Sequence, residues 1–427
     1  MPCCSCKRAE SCLTLSIVSG SFYSWSLLLP TLQSTLGCAR APLSAVFSLA
    51  TICFTCGTSF LGPWLLKRLS VSSVLVVIGG VSAAGLFLAS FVHAGGLLSS
   101  VGLLPRLALL AVGWGVGFGS MSGLAYAQNA KISTSPIFKG REGFATGLLV
   151  AGRAAAPTLA TPLVQWALAA GGTTRALRVL GAYMGLALLP AAFALRELRL
   201  EGPSEATPAA IADDVATANE VATASTPDAP PSPPPAPPTL PEPPRRTVAV
   251  LWLSLLLGSA PGLLCHGHAA AMMTLSGGGS DASLRALGVS GMALGSVVGR
   301  LGGGILIDAI SARRCLVVLP MATAAVVLSP LLQPGSAALT FAALVSCGLT
   351  YGLNAVALPV LVSLYGSARM GRVYGRVFTA WGVGGLLAPW LAGRLFDMTG
   401  GYGAALLVSA LSLLISGLSA LLIPDGS

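Results

Sequence analysis

Two arginines, Arg153 and Arg300, stand inside long apolar stretches of this chain. A guanidinium at the centre of a hydrocarbon layer costs roughly 3 kcal/mol even on lenient insertion scales, so each must face a protein interior or a wet cavity. No acidic residue within the apolar stretches offers a partner, because Asp308 stands at the end of its stretch. Two guanidiniums without carboxylates suit an external carboxylate, which each can hold through two parallel N–H bonds. The bland alternative is that each arginine snorkels or caps backbone carbonyls. Tyr23, Trp25, Tyr351, Phe378 and Trp381 are candidates to wall such a binding site, although aromatic residues in apolar helices usually just pack. His266 and His268 interrupt another apolar stretch. Two residues apart on a regular helix they diverge, so at most one lines the same cavity; a proton relay is the chemistry an imidazole there would offer.

The elements that position these groups follow from composition. Of 427 residues 54% are hydrophobic and 9% charged, with mean hydropathy +0.81. An ordinary soluble domain carries about 25% charged residues, so no soluble fold hides this much apolar surface. Apolar runs of about 20 residues, each long enough to span a bilayer as a helix, recur along almost the whole chain. Twelve spans are expected, near 12–36, 42–66, 71–93, 102–127, 143–168, 177–197, 247–274, 284–308, 314–333, 337–364, 373–395 and 402–423. The 52 glycines fit close helix packing in a membrane. The expected class is an all-α polytopic membrane protein.

Charge sets the orientation. With the N-terminus in the cytoplasm, sixteen Lys and Arg fall in inside segments and six outside, so both termini are expected in the cytoplasm. The net charge of +10 does not argue for nucleic acid. Seven acids and no Lys or Arg lie between Glu201 and Glu242, which leaves +17 in the short loops of the membrane body. The stretch 199–246 ends in eleven prolines within eighteen residues, Pro227 to Pro244, and is expected to be a disordered cytoplasmic linker. It separates an N-terminal bundle, 12–198, from a C-terminal one, 247–427, while residues 1–11 form a Cys-rich tail. Cys3, Cys4, Cys6 and Cys12 beside Lys7 and Arg8 lack the second ligand pair of a zinc site; inert thiols and S-acylation both remain open. No metal or cofactor is expected. Asn129 and Lys131, ending the fourth span, read as interfacial anchors.

The halves echo each other. Gly143, Gly152 and Pro157 are spaced like Gly375, Gly384 and Pro389, an offset near 232 residues. Gly115 and Gly119 are matched by Gly348 and Gly352. Ordered matches in two consecutive spans favour a six-plus-six duplication.

These features resemble the major facilitator superfamily. Its loop motif, Gly-x-Leu-x-Asp followed by clustered arginines, is matched by Gly304 to Asp308 with Arg313 and Arg314, where the resemblance implies a conformational latch. The first-half copy, Gly62 to Arg68, keeps the glycine and the basic pair but has Leu66 in place of the aspartate. Gly20 to Trp25, Gly299-Arg300, and Tyr374 to Tyr402 resemble the oxalate/formate antiporter-like and monocarboxylate transporter-like branch. The resemblance implies twelve helices in two pseudo-symmetric bundles and a substrate-facing arginine at Arg300. Oxalate-handling relatives carry a lysine where Trp381 stands, which argues against a small dianion. The expected function is secondary active transport of small organic anions, mono- or dicarboxylates, by alternating access as antiporter or symporter. A proton or an exchanged anion would supply the energy. No nucleotide loop or nucleophile–base pair points to an enzyme. The alternative is a non-transporting sensor or scaffold on the same fold.

Overall fold

The computed structural model describes residues 2–93, 102–133, 142–196, 243–278, 281–363 and 367–423. Regular structure among them is helical throughout. Ten helices are long and apolar enough to cross a bilayer. In the first half these are α1 (Glu10–Leu36), α2 (Arg40–Leu66), α3 (Val71–Val92), α4 (Leu103–Ile132) and a 47-residue run, Leu148–Ala194. In the second they are α7 (Arg245–Ser276), α8 (Ala282–Ile307), α9 (Ala312–Leu332), α10 (Ala337–Val362) and α12 (Gly403–Ala420). A helix of that length would extend about 70 Å, more than twice the hydrocarbon core of about 30 Å. It breaks at Gly171 and at Gly172, whose φ of 63° is left-handed, and divides into α5 (148–170) and α6 (173–194). Ser367–Thr399, 33 residues long, supplies α11. With that run divided and α11 added, the described residues hold twelve helices.

Helix packing repeats at an interval of six. In the first half α1 packs on α5, α2 on α4, and α3 on α4 and α6. In the second, α7 packs on α11, α8 on α10, and α9 on α10 and α12. Between halves α2 meets α11, α5 meets α8, and α1 meets α7, the pairing that a two-fold axis between the bundles requires. Leu104, Phe193, Ile305 and Leu332 are 79%, 67%, 75% and 87% exposed, a surface that hydrocarbon accommodates because helices satisfy their own backbone.

Two of the repeated glycines, Gly119 and Gly352, stand at close crossings. A Cβ at Gly119 would fall 2.7 Å from the Ala50 carbonyl of α2, and one at Gly352 would press closer still on the Ser296 carbonyl of α8, 3.0 Å from the Arg300 nitrogen. Gly299 abuts Leu349 and Gly352 in turn, so α8 and α10 meet backbone to backbone. That contact sets Arg300 beside Tyr351. Asp281 caps the start of α8 by accepting from the Ser283 hydroxyl and N–H, which hold its carboxyl below the usual carboxylate range.

Some expectations shift. The helix containing α1 begins at Pro2, so residues 2–11 are helical, and Cys12 is wholly buried. α7 starts at Arg245, two residues earlier than its hydropathy suggests. The expected linker falls almost entirely on 197–242, outside the described residues. A 3-10 turn, Ser21–Ser24, interrupts α1, and π-helical turns interrupt α2 at Gly57–Leu61 and α4 at Ala111–Phe118. Such irregular turns commonly accompany functional sites.

Candidate substrate cavity

Arg153 and Arg300 line one cavity between the halves, one from each bundle. Arg153 of α5 is 5% exposed, and its Nη1 donates to the Ser19 hydroxyl of α1 at 2.9 Å. Its guanidinium carbon lies 4.9 Å from the Phe54 ring centroid and 5.8 Å from those of Tyr23 and Tyr126, within cation–π range. Nη2 has no hydrogen-bond partner. Arg300 of α8 is half-buried; its Nη1 turns back to the Ser296 carbonyl at 3.1 Å and to the Ser296 hydroxyl. Its guanidinium carbon stands 5.4 Å from the Tyr351 ring, and its buried Nε is unpartnered. Each arginine is thus held by its own bundle and keeps a donor in hand. The described lining residues include no carboxylate.

The cavity measures about 60 Å³, room for a few waters and well short of the roughly 300 Å³ of common ligand pockets. A substrate must part its walls to enter. Val150, Leu255, Leu358 and Phe378 place the cavity towards the end of the bundles at which α7 and α11 begin. On the far side Tyr23 and Tyr351 close it from opposite halves, their hydroxyls 3.4 Å apart. Trp381 Nε1 donates to the Tyr351 hydroxyl at 3.1 Å, and Phe378 stacks on Trp381 at 5.7 Å.

The two imidazoles occupy different layers. His266 stacks on Tyr23 at 4.2 Å and meets Tyr351 edge-on, so it backs the wall without lining the cavity. His268 lies beyond it, with Nδ1 2.8 Å from the Tyr402 hydroxyl and Nε2 within hydrogen-bond distance of the Pro389 carbonyl and the Ser44 hydroxyl. Trp25 does not line the cavity. It is wholly buried, 5.1 Å from Trp114 and 6.2 Å from Phe47 within the first bundle. The 3-10 turn ends between Tyr23 and Trp25, and two residues apart they point different ways.

Past His268 the halves are tied at the far end of α2. Asp397 of α11 accepts from the N–H groups of Arg40 and Ala41, each at 2.8 Å. Arg40 Nη1 donates to Tyr402 and Nε to Gln33, both at 2.8 Å, and the guanidinium covers the Phe396 ring at 3.5 Å. At the other end, a Cβ on Gly375 of α11 would meet nothing within 4 Å. There Arg313 donates to the Leu421 carbonyl at 2.7 Å and the Arg314 N–H to Ser311, while the Asp308 side chain of the expected latch lies outside the described residues. Gly304 stands in open space. Asn129 bonds to Ser16 within the first bundle, and Lys131 caps the end of α2 at the Leu66 carbonyl.

Phe54, Tyr126 and Asn354 also line the cavity. Asn354 had a usable sequence signal: it follows Tyr351 by three residues, the same helix face. Phe54 and Tyr126 had none beyond aromaticity. Among the described residues no three His, Cys, Asp or Glu come together as metal ligands would.

No family model matches this sequence. Over 352 residues it is 30% identical to monocarboxylate transporter 11 of Mus musculus, a match covering 76% of this chain and 70% of that one. The fold is similar to the crystal structure of a mutant of the nucleoside transporter NupG, with a TM-score of 0.66 over 98% of this chain and 100% of that chain, at 13% identity.

Proposed function

This chain belongs to the major facilitator superfamily and is a multi-pass membrane transporter; we propose that it carries small carboxylates by alternating access. The observation that supports this most is the pair of guanidiniums, one from each half, that face one buried cavity with unpartnered N–H groups. An anion held between Arg153 and Arg300 is gripped by both bundles, so rocking of one against the other changes its exposure without a second site. The aromatic walls exclude water, which strengthens charge-assisted bonds to the carboxylate. The name of the mouse relative points the same way, and the likeness to NupG speaks for the fold alone.

With the termini cytoplasmic, as the charge bias favours, the Arg40–Asp397 end faces outside and the cavity lies towards the cytoplasm. Energy comes from a coupled proton or an exchanged anion; His266, against Tyr23 at the cavity wall, is the candidate proton carrier. Purified protein in liposomes is expected to accumulate labelled monocarboxylates and to exchange them against a trapped pool. Uptake of nucleosides instead would transfer the function of the structural relative, and absence of any uptake would favour a non-transporting sensor.

A further inference from the structure

Asn354 is 2% exposed and lines the cavity, yet neither its Oδ1 nor its Nδ2 has a hydrogen-bond partner. An amide buried without partners costs about 1–3 kcal/mol, so a position that keeps one is ordinarily matched by something that binds. The surroundings make room for it. Asn354 and Tyr351 project from α10 over Gly258 and Gly262 of α7, and a Cβ at either glycine would fall 2.6 Å from the side chain above it. Two glycines one turn apart thus seat a tyrosine and an amide side by side. Arg300 stands over the Tyr351 ring, and Asn354 follows Tyr351 by one helical turn, about 5 Å along the axis.

We propose that Asn354 is a specificity-determining residue that selects carboxylates bearing a primary amide a few bonds from the charged group. This rests on the reading of the cavity as a carboxylate site. Oδ1 is an acceptor and Nδ2 a donor, so the full complement is a group that also offers one of each on one edge. A primary amide does this, with its C=O and one N–H on the same edge; a ketone satisfies only Nδ2, and a methylene chain satisfies neither. The flat amide also fits between aromatic walls. A site built to make such bonds discriminates strongly against analogues that lack them, because its own polar atoms are then left unpaired.

Three monocarboxylates of nearly equal shape test this: succinamate (the monoamide of butanedioate), 4-oxopentanoate and pentanoate. Each competes for uptake and is measured by thermal shift, with wild-type protein and Asn354→Leu. The wild type is expected to prefer them in that order, with at least about a tenfold span. Asn354→Leu is expected to level the order, weakening the amide most and the ketone next. Should Asn354→Leu not fold, Asn354→Ser, which keeps one hydroxyl, is expected to narrow the span. Equal binding of all three by the wild type, or an unchanged order in either Asn354 variant, overturns the role of Asn354 and leaves the carboxylate reading standing. Binding of none of the three by the wild type overturns both.

Discussion

Arg300→Ala is expected to weaken carboxylate binding by at least about 100-fold and to abolish uptake, while the protein still inserts and folds. Removing one partner of a buried charge pair typically costs 2–5 kcal/mol, and about 3 kcal/mol corresponds to that factor. The empty protein is expected to be no less stable, because the wild type already bears the desolvation of a guanidinium whose Nε is unpartnered. Its hydrogen bonds run to Ser296 one turn away on the same helix, so losing them separates no helices. Arg300→Lys keeps the charge but not the planar fork, and is expected to recover only part of the affinity. A structural arginine would behave in the opposite way, with both variants losing thermal stability and whatever folds binding normally. Ligand-induced thermal shift measured beside uptake separates the two.

Asp397→Ala is expected to release the far-side closure. α2 begins at Arg40 with no side-chain cap of its own, since Ala39 precedes it, and Asp397 from the other half supplies the missing acceptor for two backbone N–H groups. Those bonds exist only while the halves touch, so their energy counts towards the closed state alone. Hydrogen bonds to a charged group contribute about 1.5–3 kcal/mol, and a carboxylate at a helix N-terminus gains further from the helix dipole. A loss of about 2 kcal/mol would shift the balance of closed to open states by about thirtyfold. Thr51, wholly buried against Gly385 between α2 and α11, can report on this as Thr51→Cys. Its labelling by maleimide in detergent should rise in the Asp397→Ala background over the same protein with Asp397 intact. Unchanged labelling would mean that the closure is held elsewhere.

Much of this was legible in the sequence. Hydropathy and spacing suffice for the helices, because a bilayer permits so few ways to bury a backbone. Glycines and prolines at a common offset announce the duplication, and at Gly119 and Gly352 the crossing leaves no room for a side chain. Arg153 and Arg300 stand out because a charge in hydrocarbon demands a reason. Direction around the helix is harder to read. Trp25 belongs to the first bundle's interior because a 3-10 turn re-aims the residues that follow it, and no composition signal announces that turn. Asn354 is quiet among apolar neighbours until Tyr351 is seen one turn away. Arg40 and Asp397 lie 357 residues apart, and a single sequence carries no sign that they meet.

The most direct test of the carboxylate site is charge selectivity at constant shape, measured as binding of pentanoate, pentanamide and pentylamine to the purified wild-type protein. Two guanidiniums with donors in hand and no acid among the described lining residues predict that pentanoate binds, pentanamide binds at least about 100-fold more weakly, and pentylamine not at all. Equal binding of pentanoate and pentanamide, or preference for the amine, would contradict the assignment of Arg153 and Arg300 to an anion.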